Sequence, residues 1–131
     1  MDWPNSFRMS IPVDRENLIQ TIEEFGASAY FITSSVDDYP HVTHSSFEIS
    51  EDSLFIKLGR RSSKNAEQNS RISILWPPVE GGGYNLIVDG TIERTDSEKW
   101  RVQFDSAILH RPADSPVQGT DNGCDSDCKP V

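Results

Sequence analysis

Six short runs rich in β-branched and aromatic residues, each closed by a turn signal, confine this chain to an antiparallel β architecture. The first is Ala27 to Ser35 (ASAYFITSS), stopped by Val36-Asp37-Asp38-Tyr39-Pro40. The second is His41 to Ile49, and the turn Ser50-Glu51-Asp52-Ser53 leads into the third, Leu54 to Leu58. Arg71 to Trp76 ends at Pro77-Pro78 and a glycine-rich loop, Tyr84 to Arg94 is the longest run, and Trp100 to Leu109 is the last. In the fifth run Tyr84, Leu86, Val88 and Ile92 share one face, and Gly90 interrupts the row, which predicts a bulge or a close backbone approach. In the sixth, Trp100, Val102, Phe104 and Ile108 alternate with Arg101, Gln103 and Asp105. Ahead of the strands, Leu18, Ile19, Ile22 and Phe25 recur at helical spacing, with Gly26 placed to end the run, giving an amphipathic helix of about three turns. Six strands, two helices and short turns imply a mainly β fold: a small antiparallel barrel with helices at its ends.

The second run is polar near its start. Thr43, Ser45, Phe47 and Ile49 share a face with His41, while Val42, His44, Ser46 and Glu48 share the other. Such a strand suits a sheet that faces a ligand rather than packed side chains.

The stretch Lys57 to Arg71 (KLGRRSSKNAEQNSR) carries five of the chain's twelve basic residues and one acid, Glu67, in a chain whose net charge is -9. Gly59 can turn the backbone out of the third strand, and Ser62 or Ser63 can cap a short helix from about Ser63 to Asn69. Strand, basic turn and helix start together form an anion site, because unpaired N–H groups and the positive helix end favour a phosphate. The alternative is a solvated basic loop. The triphosphate loop G-x-x-x-x-G-K-[ST] is absent, since Asn65 follows Lys64, and no G-x-G-x-x-G occurs, so a single terminal phosphate fits best. Arg94 carries the same charge away from this turn and serves as the reference cation.

Composition sets the remaining bounds. At 131 residues the chain is large enough for one core. The acidic balance with one small basic patch argues against a nucleic-acid partner. No apolar stretch approaches a membrane span, and the N-terminus lacks the features of a signal peptide, so we expect no membrane association and a cytoplasmic location. Residues 1–11 read as an N-terminal arm, 12–111 as the barrel domain and 112–131, rich in Pro, Asp, Ser and Gly, as a flexible acidic tail.

With its elements in this order the chain resembles the pyridoxamine 5'-phosphate oxidase-like family of FMN-binding split β-barrels. The helix before the barrel, Asp37-Asp38-Tyr39-Pro40-His41, the segment Gly59 to Asn65, the strand Arg71 to Trp76 and the closing Val88-Asp89-Gly90-Thr91 carry the likeness, over roughly residues 12–110. The resemblance implies a six-stranded antiparallel split β-barrel that forms a homodimer with flavin mononucleotide between its subunits. By position, Ser63 and Lys64 fall on the phosphate ligands, with Arg61 and Ser62 adjacent. Val42, Thr43, His44 and Ser45 fall where the second strand meets the isoalloxazine, and Lys57 and Leu58 lie on the third-strand segment beside it. Members that oxidise vitamin B6 have an arginine and a lysine flanking an apolar run in the second strand and a C-terminal segment that clamps the substrate phosphate. His41-Val42-Thr43-His44-Ser45-Ser46 has neither basic residue and the sequence ends before such a segment, so a true pyridoxamine phosphate oxidase is not expected. Other members use a deazaflavin or haem, or hold no cofactor.

The implied activity is that of a flavin-dependent oxidoreductase of unknown substrate; the alternative is a non-catalytic protein that binds a flavin or another phosphorylated small molecule. No side chain stands out as a catalytic acid or base, and Thr43 and His44 read as hydrogen-bonding groups. His41 and His44, three apart on one strand, point to opposite faces and do not share a metal ion. Cys124 and Cys128 supply only half of a tetrahedral zinc site and read as reduced thiols in the tail, so no metal is expected.

Overall fold

A computed structural model describes residues 10–112. The elements run β1 (Ser10–Pro12), α1 (Arg15–Phe25), β2 (Ser28–Thr33), β3 (His41–Ser46), β4 (Glu48–Ser50), β5 (Ser53–Lys57), α2 (Arg60–Gln68), β6 (Arg71–Trp76), β7 (Asn85–Arg94) and β8 (Lys99–His110). All strand pairs are antiparallel. The sheet order is β3-β2-β6-β7-β8-β5-β4, with β1 pairing β8 beside this path.

The two ends of that order are consecutive in the chain. β3 and β4 are separated by Phe47 alone, so the sheet must curl until its edges meet. At this residue the backbone leaves β2, donating from Phe47 N to the Ala27 carbonyl at 3.3 Å, and joins β5 through Glu48 opposite Phe55. The Phe47 ring closes the seam edge-on against Phe31 and Trp76, at centroid distances of 6.3 and 5.5 Å.

Alternation sets what fills the curl. Phe31, Ile74, Val88 and Ala107 lie in register across β2, β6, β7 and β8, and all four are buried. Ile92, Val102 and Leu54 make a second buried row across β7, β8 and β5. Helix α1 adds Leu18 and Ile22, each burial worth about 1.5–3 kcal/mol. Gly26 ends that helix at φ 119°, and its carbonyl accepts from Trp76 Nε1 at 3.2 Å, tying the helix end to the core. The turn between β4 and β5 places both Glu51 and Asp52 at positive φ, 52° and 65°, the pair of values a two-residue hairpin turn requires.

The structure corrects the expected layout in four places. There are eight strands among the described residues, not six: the run His41 to Ile49 is divided at Phe47, and β1 brings Ser10 and Ile11, expected as arm, into the sheet opposite His110 and Leu109. The alternation of the last run holds only to Phe104. Asp89 pairs with Ser106 but Gly90 pairs with Phe104, so Asp105 is an extra residue; beyond it Ala107, not Ile108, faces the core. Gly90 is where the backbones close, since a Cβ there would lie 2.2 Å from the Gln103 carbonyl oxygen. Helix α2 begins at Arg60 with Gly59 as N-cap, three residues before the expected start, and neither Ser62 nor Ser63 caps it. The proposed tail, with Cys124 and Cys128, lies outside the described residues apart from Pro112.

Candidate functional site

Helix α2 follows β5 after two residues. Gly59 sits at φ -72° and ψ -177°, an extended conformation open to any residue, so it does not make the tight turn expected of it. A Cβ at Gly59 would meet nothing within 4 Å, which leaves the mouth of the helix open. The first intrahelical bond is Ser63 N to Gly59 O at 2.9 Å, so the N–H groups of Arg60, Arg61 and Ser62 find no acceptor among the described residues. The first turn also lacks an acid and carries Arg60 and Arg61 instead. Each cation at the positive end of a helix is unfavourable by an amount on the order of 0.3–1 kcal/mol, and a bound anion reverses that sign.

The serines behave differently from one another. Ser62 is buried at 1% exposure on the inner face of α2, with Asn65 and Ala66 one turn on. Its side chain is therefore not a ligand for an anion in the surrounding solvent. Ser63 Oγ donates to the Leu58 carbonyl at 3.3 Å, holding the end of β5 against the helix. Asn65 Nδ2 donates to Thr33 Oγ1 at 3.2 Å, both side chains being buried, and this bond seats α2 on β2.

Two clefts of useful size flank these elements. One, of about 390 Å³, lies between α2 and the β2–β3 hairpin and is lined by Arg61, Lys64, Asn65 and Gln68 on the helix and Ser35, Asp37 and Asp38 on the hairpin. The four helix residues follow i, i+3, i+4, i+7 spacing and so form one face. Arg61 Nη2 donates to Asp38 Oδ2 at 3.0 Å, whereas Lys64 forms no ion pair among the described residues. The other cleft, of about 330 Å³, opens where β3 and β5 part and is lined by Ser45, Ser46, Phe47, Phe55, Lys57 and Lys99, among others. Its rim carries the Lys99–Glu48 ion pair, which holds the exposed Glu48 carboxyl below its ordinary range.

The residues singled out from sequence are therefore divided. Arg61 and Lys64 line the helix cleft, Ser45 and Lys57 line the seam cleft, and Val42, Thr43, His44, Leu58, Ser62 and Ser63 line neither. Val42 is exposed on β3, a strand paired on one side only. The His44 ring lies tilted against Tyr30, with centroids 4.7 Å apart, and shares a 3.3 Å hydrogen bond between its Nε2 and Ser28 Oγ. Among the described residues no carboxylate orients that ring, so this is not the triad arrangement of a nucleophile with an oriented base. Lys57 Nζ lies 4.0 Å from the exposed Glu98 carboxylate. The sequence reading missed Asp38, Asn65 and Thr33. Asp38 lay within a turn signal, and Asn65 within a polar helix whose buried face has no apolar periodicity. Arg94 is not the detached cation expected: it pairs with Glu67 of α2 at 2.7 Å and stacks over Trp100.

Among the described residues no three His, Cys, Asp or Glu side chains gather as metal ligands, and no helix is long and apolar enough to cross a membrane.

No protein-family model matches the chain. Uncharacterized proteins of Mycobacterium bovis and Mycobacterium tuberculosis are 37% identical to it over 79 residues, 54% of this chain and 54% of theirs. The chain thus spans about half the length of the curated relatives it matches. An FAD-binding protein from Mesorhizobium loti superposes with a TM-score of 0.60 at 13% identity, over 79% of this chain and 98% of that one. A Listeria innocua protein classed provisionally as a pyridoxamine 5'-phosphate oxidase also gives 0.60, at 14% identity over 73% and 98% of the two chains. HutZ, the haem storage protein of Vibrio cholerae, gives 0.55 at 16% identity over 75% and 95%. The fold of this chain is that of the pyridoxamine 5'-phosphate oxidase-like split β-barrels.

Proposed function

We propose that this protein is an FMN-binding flavoprotein that works as a homodimer and serves as an oxidoreductase. The observation that carries the reading is the start of α2, an uncapped helix N-terminus that bears two arginines and no acid, beside Lys64, which has no ion-pair partner among the described residues. Cations at that helix end are unfavourable, offset for Arg61 only by its half-exposed pair with Asp38, and a terminal phosphate gives relief through the N–H groups of Arg60 and Arg61 and the side chains of Arg61 and Lys64. Val42, Thr43, His44 and Ser45 on the free edge of β3, with Lys57 and Leu58 opposite, border the isoalloxazine ring. A bound flavin supplies the electron-transfer chemistry, and the chain binds and orients it.

The outer face of the sheet supports the dimer. Tyr30, Leu75, Ile87 and Ile108 lie in register across four strands on the side opposite the core, none of them buried. A continuous apolar row of this kind suits a second subunit, with an obligate interface of more than about 2,000 Å² in total.

The test is a titration of apoprotein with FMN and with riboflavin. Lys64→Ala should weaken FMN binding about ten- to a hundredfold and leave riboflavin nearly unchanged. The reference substitution is Arg101→Ala on the β8 surface, because Arg94 is tied to α2 through Glu67. Equal affinity of the wild type for FMN and riboflavin would sink the phosphate site. Bleaching of the bound flavin by NADH or NADPH would support the oxidoreductase role. The second reading is a flavin-sequestering protein without catalysis, favoured by the absence of an oriented base at His44; a flavin that no reductant bleaches would select it.

A further inference from the structure

We propose that Asp38 is a resident counter-ion in the helix cleft, which a phosphate must displace from Arg61, so that ligand binding releases the β2–β3 hairpin from α2. The inference rests on the phosphate reading of this cleft and adds a device that regulates it. The cleft places two carboxylates, Asp37 and Asp38, against two cations, Arg61 and Lys64, so its side chains are formally neutral before any ligand enters. Asp38 is fully engaged: Oδ2 accepts from Arg61 at 3.0 Å and Oδ1 from the Tyr39 N–H at 2.8 Å. A dianionic phosphate entering the cleft as it stands meets a carboxylate at the arginine it needs. Arg61 and Asp38 side chains are 50% and 53% exposed, and an exposed pair of this kind is weak enough to exchange for a stronger acceptor.

The hairpin is built to let go. Ser34 Oγ accepts from Asn69 Nδ2 at 3.2 Å, and beyond it the sole side-chain bond from the tip to α2 among the described residues is that of Asp38 with Arg61. Val36 and Tyr39, the apolar residues of the tip, are 89% and 83% exposed and pack on nothing that would hold it. Asn65 lines the same cleft and stays buried on Thr33, so the floor remains fixed while the tip moves.

The experiment compares wild type, Asp38→Asn, Lys64→Ala and Asp52→Asn in titrations with FMN, riboflavin and inorganic phosphate, with hydrogen exchange of residues 36–40 followed in parallel. Asparagine keeps the Oδ1 acceptor for the Tyr39 N–H and replaces the charged Oδ2, which accepts from Arg61, with an NH2 group. Asp38→Asn should bind FMN and inorganic phosphate about three- to tenfold tighter, with riboflavin unchanged. Asp52→Asn, an equal loss of charge outside the cleft, should match wild type. Exchange in 36–40 should rise on adding FMN to the wild type and be high without ligand in Asp38→Asn. If Lys64→Ala loses FMN affinity but Asp38→Asn gains none, the displacement is refuted and the phosphate site stands. If Asp52→Asn gains as much as Asp38→Asn, the effect is general charge and the proposal falls. If neither Lys64→Ala nor Asp38→Asn changes FMN binding, both the proposal and the phosphate site fall.

Discussion

The β7–β8 wall and the α2 flank are held by different physics. In the wall every residue of β7 from Asn85 to Arg94 pairs with β8, and Leu86, Val88 and Ile92 are buried to 4% exposure or less. Its stability comes from apolar area and continuous backbone bonding, which no single side chain controls. The flank has almost no such area: the buried face of α2 is Ser62, Asn65 and Ala66. Separate polar contacts seat it instead, from Asn65 to Thr33, Asn69 to Ser34, Arg61 to Asp38 and Glu67 to Arg94. The half-exposed ion pairs of Arg61 with Asp38 and Arg94 with Glu67 can be exchanged for a ligand contact at small cost, the buried Asn65–Thr33 bond stays as the seat, and the wall can only hold or break. The proposed phosphate site lies on the exchangeable side, where local stability is expected to be lower.

The largest effect should come from forcing the wall apart. Gly90→Ala puts a methyl group 2.2 Å from the Gln103 carbonyl oxygen, and relief requires backbone movement in β7 or β8. We expect a loss of about 3 kcal/mol or more, measured by denaturant unfolding. A variant as stable as wild type would show that the bulge at Asp105 absorbs strain and that the wall is softer than its pairing suggests.

A smaller effect should come from the flank. Asn65→Ala leaves the buried Thr33 hydroxyl without its donor, at a cost of about 1–3 kcal/mol, and should raise hydrogen exchange in α2 more than in β7. Equal rises in both elements would erase the distinction between the two regions.

The wall was legible in sequence because apolar alternation and a single glycine encode it. The strand, its inward Leu86, Val88 and Ile92 and the irregularity at Gly90 follow from period-two patterning and the glycine that interrupts it, although Tyr84, read as the first residue, lies outside β7 and is not buried. What escaped was the phase change at Asp105, since one extra residue resets the alternation and no residue type announces it. The α2 flank was legible only in its charge. Its start was misplaced because the serines suggested caps, whereas Gly59 leaves the N-terminus uncapped. Asn65 was invisible as a seat because a polar residue buried by one hydrogen bond has no periodic signature. Phe47 likewise read as one residue on the His41, Thr43, Ser45 and Ile49 face of a single strand, and only the sheet order shows it as the crossing point between two edges.

The smallest predicted effect is at the rim of the seam. Lys99, by hydrogen bond and charge, holds Glu48 below its ordinary pKa, so the pair stabilises the fold above the usual carboxylate range and the contribution fades as pH falls through the lowered value. Glu48→Gln should therefore melt slightly lower than wild type above about pH 5 and converge with it in more acidic solution. A difference that grows toward acid would mean that Glu48 is stabilised in its protonated form.

The seam at Phe47 also bears on solubility. An open sheet ending in β3 and β4 would present two unpaired edges to other chains, the usual route to edge-to-edge association. Here each of those strands is still paired on one side only, but the link through Phe47 holds them end to end on the curled sheet, as one short bent edge rather than two flat ones. A circular permutant opened at Phe47 would keep every buried row of the core, yet it should aggregate where a permutant opened in the Gly81–Gly83 loop stays dispersed.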